Sequence, residues 1–207
     1  YATWPLFADL SRVPPLPGLL EKRGGVFIDF DKDALAARMR AYLDPKRPFE
    51  SLSQVDPRLV QDRAGFLSGD GRKAALQSEG YRSSNIKRYQ LFAFDLRWAY
   101  VSIVPSLWNR SRPQLVHLLQ DSQGFVGARI RQIADSEGFP SCYTPYLGDD
   151  HSLHKDAFFF PIVENLSGTP RPNISNATAA YLATLGLDSD ISAARLIWHH
   201  SLAITYS

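Results

Sequence analysis

The stretch Tyr89-Gln90-Leu91-Phe92-Ala93-Phe94-Asp95-Leu96-Arg97-Trp98-Ala99-Tyr100 decides how this chain is read. It gathers aromatic side chains around one acid, Asp95, and one base, Arg97. Alternate residues of a strand point to opposite faces, so Asp95 and Arg97 share one face. Phe92, Phe94, Leu96 and Trp98 then share the other, which predicts a strand with a buried apolar side. The charged pair is either a fixed structural ion pair or a placed recognition group. Residues 85–104 as a whole read as strand, in one piece or two.

The flanks read as alternating helices and strands. Val26–Phe30 is a short apolar run, and Asp31 is placed to cap a helix reaching Leu43, with Leu35, Met39 and Leu43 on its inner face. Gly69-Asp70-Gly71 reads as a turn, with a short helix before it over Leu59–Leu67 and helical turns after it over Arg72–Glu79. Pro113 suits the first turn of a helix that Gly124 ends. Phe125–Ile133 alternates so that Arg129 and Arg131 fall on one face. Phe158–Val163 is an apolar strand whose Pro161 suggests a sheet edge. Asn176 is placed to cap a helix closed by Gly186, and Ser192–Thr205 reads as a second helix with Leu196, Ile197 and Ile204 inward.

The expectation is an α+β fold: a mixed, mostly antiparallel sheet flanked by helices, with a C-terminal helical pair. Residues 1–172 form the main body and 173–207 its helical cap. At 207 residues, 44% hydrophobic and 12% aromatic, the chain can bury a full core. It begins at Tyr1 and stops at Ser207 with no polar tail, so we expect a piece of a longer protein.

Cys142 is the only cysteine, which excludes an internal disulfide and a multi-cysteine zinc site and suits the cytoplasm. No signal peptide or membrane-length apolar run is present. Without a secretion signal, the sequons at Asn109, Asn165, Asn173 and Asn176 read as chance.

The net charge of +2 is unevenly spread. Residues 81–133 carry eight cations, seven of them arginine, against Asp95 and Asp121, a net of +6 that leaves −4 for the rest. Such a basic middle fits an anion-binding face, or a solvated surface with uneven charge.

Catalytic signatures are missing. A methyltransferase acting on adenine needs Asn/Asp-Pro-Pro-Tyr/Phe, and Val13-Pro14-Pro15-Leu16 supplies neither the polar residue nor the ring. No Gly-x-x-x-x-Gly-Lys-Ser/Thr loop supports a nucleotide site. His154-Lys155-Asp156 lacks the His-x-Lys order of phospholipase D enzymes. His151 and His154, near Asp149, Asp150 and Asp156, are the one metal candidate, though a loop cluster of this kind is more often solvated polar surface. The residues describe a domain that binds rather than catalyses.

Phe94, Asp95, Arg97 and Tyr100 match the Phe-Asp-x-Arg-x-x-Tyr segment in the target-recognition domain of type ISP restriction–modification enzymes. Further segments follow in the family's order: Gly18–Asp29, Phe125–Arg129, Phe159–Ile162 and Ile197–Ser207. The family's Arg-Pro pair before the phenylalanine is not kept. The chain thus resembles that adenine-specific DNA methyltransferase family across most of its length. The resemblance implies a non-catalytic domain that reads double-stranded DNA while an adjacent methyltransferase domain modifies a target adenine. S-adenosylmethionine would belong to that other domain, and no cofactor or metal to this one.

On this reading Lys22, Arg23, Arg88 and Arg112 are candidates for phosphate contacts, and Asn109, Arg110, Arg129 and Arg131 for base edges. Arg97 is a DNA-binding candidate or half of a structural pair. Two alternatives remain open: a coupling module between domains of such an enzyme, and a metal-dependent nuclease centred on His151.

Overall fold

The computed structural model describes residues 6–63, 67–104, 107–119, 122–129, 141–153, 156–165 and 168–206. In chain order the first elements are α1 (Phe7–Leu10), β1 (Leu16–Pro17), β2 (Ile28–Asp29), α2 (Lys32–Tyr42) and α3 (Ser68–Ser78). The hairpin strands β3 (Ile86–Phe92) and β4 (Asp95–Tyr100) follow, then α4 (Pro113–Leu118), β5 (Phe125–Arg129) and β6 (Ser141–Thr144). The chain continues through β7 (Leu147–Gly148), β8 (Ala157–Pro161), β9 (Val163–Glu164), β10 (Arg171–Pro172), α5 (Asn176–Thr184) and α6 (Ile191–Thr205). This is the expected α+β class, with antiparallel strand pairs, flanking helices and a C-terminal helix pair.

The chain divides into two compact units. A central unit runs Leu19–Pro113, and a composite unit joins the residues up to Gly18 to those from Gln114 onward. Residues 173–207 lie in the composite unit.

In the central unit β4 lies between β2 and β3, and both pairings are antiparallel. Helix α2 packs on β2 and β4 and starts where its sequence says. The Asp31 carboxylate accepts from the backbone N–H of Asp33 (2.7 Å) and Ala34 (3.2 Å), satisfying two orphan donors of the first turn. Leu35, Met39 and Leu43 are all buried, as their spacing predicts, with Tyr42, Phe27 and Tyr100 beside them.

Helix α3 overturns the turn expected at Gly69-Asp70-Gly71, for these residues form its first helical turn. The reason is non-local. The Asp62 carboxylate, six residues upstream of Ser68, accepts from the Ser68 N–H (2.6 Å) and hydroxyl (2.9 Å) and caps the helix from outside. Arg72 then anchors α3: its buried guanidinium donates to the carbonyls of Tyr42 (2.6 Å), Asp44 (2.8 Å) and Arg47 (2.7 Å). Of the helix expected over Leu59–Leu67, Leu59 and Val60 fall in a 3-10 turn, Pro57–Val60, residues 61–63 are not helical, and residues 64–66 lie outside the described residues.

The aromatic stretch forms two strands, one of the two forms expected for residues 85–104, and their hairpin changes the faces expected of a single strand. Phe94 lies at the tip and is 83% exposed, and Phe92 is 50% exposed, so neither belongs to a buried face. The buried aromatics are Tyr89 and Tyr100 at the hairpin's root, and Trp108 meets Tyr89 edge-on at 5.7 Å while donating to the Tyr100 carbonyl (2.8 Å).

In the composite unit one antiparallel sheet has the order β1-β8-β5-β6, and β9 pairs β10. Strand β8 is therefore internal, not the edge that Pro161 suggested. Its proline is tolerated because β1 pairs only Phe158 and Phe159, stopping short of Pro161. Gly148 lets the chain pass Phe159, whose ring would lie 2.1 Å from any added Cβ. Val126, Phe160, Ile162, Leu182, Ala194, Trp198 and Leu202 form the core, with Phe7 and Leu10 against it. Of the residues expected inward on α6, Leu196 and Ile204 are about half exposed, and Trp198 and Leu202 take that place.

Asn173, fully buried, organises this unit. Its side-chain oxygen accepts from the N–H of Arg12 (3.0 Å) and Val13 (3.0 Å) and from the Ser11 hydroxyl (3.1 Å). Its amide nitrogen donates to the Pro161 carbonyl (2.7 Å), which joins the N-terminal segment to β8.

Candidate nucleic-acid interface

The site is built on the β3–β4 hairpin. Its register sets Arg88 opposite Trp98 and Tyr89 opposite Arg97. Directly opposed residues share a face, so Arg88 and Trp98 lie on one side of the ribbon and Arg97 on the other.

On the first side the Arg88 guanidinium lies 4.5 Å from the Trp98 ring centroid. Lys32, from the start of α2, places its ammonium 4.9 Å from the same ring. The indole thus orients two cations, each by the attraction of a charge to the negative face of a ring. Asp29, opposite Trp98 on β2, is engaged by Arg38 at 2.8 Å, and Arg38 also donates to the carbonyls of Val26 (2.8 Å) and Ile28 (3.2 Å). Burial works to raise the Asp29 carboxyl. The Asp31 N–H and the Arg38 guanidinium together outweigh it and hold the group below its ordinary value.

On the second side Arg97 grips Asp95 with two nitrogens, Nε at 2.9 and 3.0 Å and Nη2 at 2.6 Å, and lies 4.1 Å from the exposed Phe30 ring. The bidentate hydrogen bond, followed by the carboxylate charge, raises the Arg97 pKa further. The ion pair is thus present, and Arg97 is still about a quarter exposed.

The other sequence candidates scatter. Lys22 is exposed. Arg23 has to be withdrawn: it is 1% exposed, its guanidinium packed on Phe27 (5.1 Å) and Tyr42 (5.9 Å) and directed at the Leu59 carbonyl. A group so enclosed reaches no phosphate. Arg110 is exposed, and its backbone pairs with Leu20 in both directions (3.1 and 3.0 Å). Arg112 is half-buried with φ 45°, a left-handed conformation costing about 1–3 kcal/mol in a non-glycine residue and unusual before a proline. Arg129 ends β5 in the composite unit, half-buried, and Arg131 lies outside the described residues.

Sequence reasoning missed Lys32, Phe30 and the exposed tip. Lys32 reads as an ordinary helix-start residue, and only the fold carries it to Trp98. At the metal candidate, His151 Nδ1 lies 3.5 Å from Asp149, His154 is outside the described residues, and no group of three or more potential ligands occurs among those described. Among the described residues no helix is long and apolar enough to cross a membrane.

No family model and no curated protein matches this sequence. The solved structures that share its fold include two complexes with DNA or a DNA substrate mimic. One is the cryoEM structure of a DrdV–DNA complex, similar over 95% of this chain and 19% of that one, with a TM-score of 0.60 and 16% identity. The other is a nuclease-deletion mutant of the type ISP restriction–modification enzyme LlaGI in complex with a DNA substrate mimic. It is similar over 86% of this chain and 18% of that one, with a TM-score of 0.50 and 13% identity. The chain spans about a fifth of the length of each.

Proposed function

We propose that this chain is the DNA-reading domain of a restriction–modification enzyme. It would hold an asymmetric duplex site while a methyltransferase domain outside this chain, carrying S-adenosylmethionine, methylates a target adenine. The observation that carries this reading is the fold shared over 95% of the chain with part of a DNA-bound assembly. The oriented cations of the hairpin support it. Lys22, Arg88 and Arg112 are assigned to phosphates. Asn109, Arg110, Arg129 and Arg131 are assigned to base edges, where arginine suits guanine and asparagine suits adenine. Arg97, held by Asp95, is assigned to DNA contact as well.

The test is binding of a fluorescent duplex across a salt titration, with site preference read by selection from a randomised duplex library. Affinity is expected to fall linearly in log–log form, and Arg88→Ala to lower that slope by about one. Arg129→Ala is expected to relax selection at one position rather than to weaken binding uniformly. Absence of duplex binding at low salt overturns the reading.

A second reading, a coupling module between enzyme domains, is favoured by one feature. A cleft of about 710 Å³ between α1, α5 and α6 is lined by Phe7, Leu10, Tyr181, Ile197 and Ile204. Tight binding to an isolated methyltransferase domain without DNA would favour it.

A further inference from the structure

We propose that the tip of the β3–β4 hairpin is a wedge that stacks Phe94, backed by Phe92, on the bases of an opened or kinked step in duplex DNA. This rests on the reading that the chain contacts DNA, and adds to it how the duplex is deformed.

The tip is built for presentation rather than for turning. Tight hairpin turns favour glycine, asparagine or aspartate, and the connection here is Ala93-Phe94. The pairing is irregular between Gln90 and Phe92, where the strands lose their simple register. The turn is braced from within: Gln90, 5% exposed, donates its side-chain amide to the Ala93 carbonyl at 3.1 Å. A buried polar side chain thus supports a turn whose outward residue is a phenylalanine, 83% exposed.

Charge identifies the occupant. The hairpin carries Lys87, Arg88 and Arg97 against the single acid Asp95. Arg88 and Lys32 are oriented by Trp98 on one side of the ribbon, and Arg97 lies against Phe30 on the other. An apolar tip with Arg88 and Lys32 on one side, and Lys87 beside the Asp95-held Arg97 on the other, fits a partner that is apolar and stackable at its centre and anionic along both flanks. A base step between two phosphate backbones has that layout. Apolar wedges of this type unstack steps in kinked DNA, and the cations then meet the flanking phosphates.

The experiment compares binding of the 207-residue chain to a mixed-sequence duplex and to the same duplex with one abasic pair, where unstacking is already done. 2-Aminopurine beside the lesion reports stacking. The wild-type chain is expected to prefer the abasic duplex by roughly fivefold or more, with a change in 2-aminopurine emission. Phe92→Ala/Phe94→Ala should bring the preference close to one while the salt slope on intact duplex is unchanged. Phe94→Trp, which restores a stacking surface, should keep the preference, and thermal melts confirm that each variant is folded. Equal preference in the wild type and the double variant, with intact-duplex binding retained, overturns the wedge and leaves the DNA-reading assignment standing. No binding to either duplex overturns that assignment and the wedge with it, and binding of the tip to a methyltransferase domain instead does the same.

Discussion

Arginines do three different jobs in this chain, and the surroundings of each guanidinium set which. Arg72 is a buried clamp on three carbonyls, Arg38 and Arg58 are half-buried partners of acids, and Arg88 is an oriented cation on an indole ring. Arg72→Met should remove the clamp and leave carbonyls of Tyr42, Asp44 and Arg47 without their donor, costing about 2–4 kcal/mol in chemical denaturation. The acids give a pH signature. Asp56 is held below its ordinary value first by its hydrogen bonds from Arg58, against the opposing effect of burial, and Asp29 is lowered as well. A lowered folded-state value means the unfolded chain binds the proton more readily. The stabilisation is therefore complete above the unfolded carboxyl value, ~3.9, and is lost as pH falls through the depressed folded value. Melting temperature should fall between about pH 5 and pH 2, and Asp56→Asn should make that fall shallower.

At the scale of elements, what was legible was local. The α2 cap at Asp31, the inward row Leu35, Met39 and Leu43, the proline start of α4 and the closing Gly186 all depend on neighbours a few residues away. What was illegible depends on distant residues. Asp62 makes a helix of a Gly-Asp-Gly segment, β1 stops before Pro161 so that β8 can be internal, and the turn at Ala93-Phe94 lacks any turn residue that would announce it. The α5 cap illustrates the margin: Ser175, not Asn176, accepts from Thr178 N–H at 3.2 Å. The candidate site was half legible for the same reason. Arg88 stands out in the sequence through the basic middle and Arg97 through its motif, but the Arg88–Trp98–Lys32 group is assembled by pairing, and Arg23 looks exposed until Phe27 and Tyr42 close over it. Asn173 is the sharpest case, a sequon in the sequence and a buried hub in the fold. Asn173→Ala should strand the N–H groups of Arg12 and Val13 and cost about 2–4 kcal/mol, with hydrogen exchange rising first in residues 11–13.

At the scale of the whole molecule, the two units differ in how their chain is supplied. The central unit is one continuous segment, Leu19–Pro113, with its own core of Phe27, Leu35, Met39, Tyr42, Tyr89, Tyr100 and Trp108. The composite unit draws on both ends of the chain. Its sheet takes β1 from the N-terminal segment, its core takes Phe7 and Leu10, and Asn173 needs the backbone of residues 12 and 13 to satisfy its oxygen. A fragment from Gln114 onward therefore lacks a strand, two core side chains and the partners of a buried amide. Burying a large apolar side chain is worth about 1.5–3 kcal/mol, and a domain's whole margin is about 5–15 kcal/mol, so these losses together are enough to unfold it. Expressed alone, residues 19–113 should show a cooperative thermal transition, and residues 114–207 should show none until a peptide of residues 1–18 is supplied. A cooperative transition in 114–207 without the peptide would mean that the N-terminal segment decorates that unit rather than completing it.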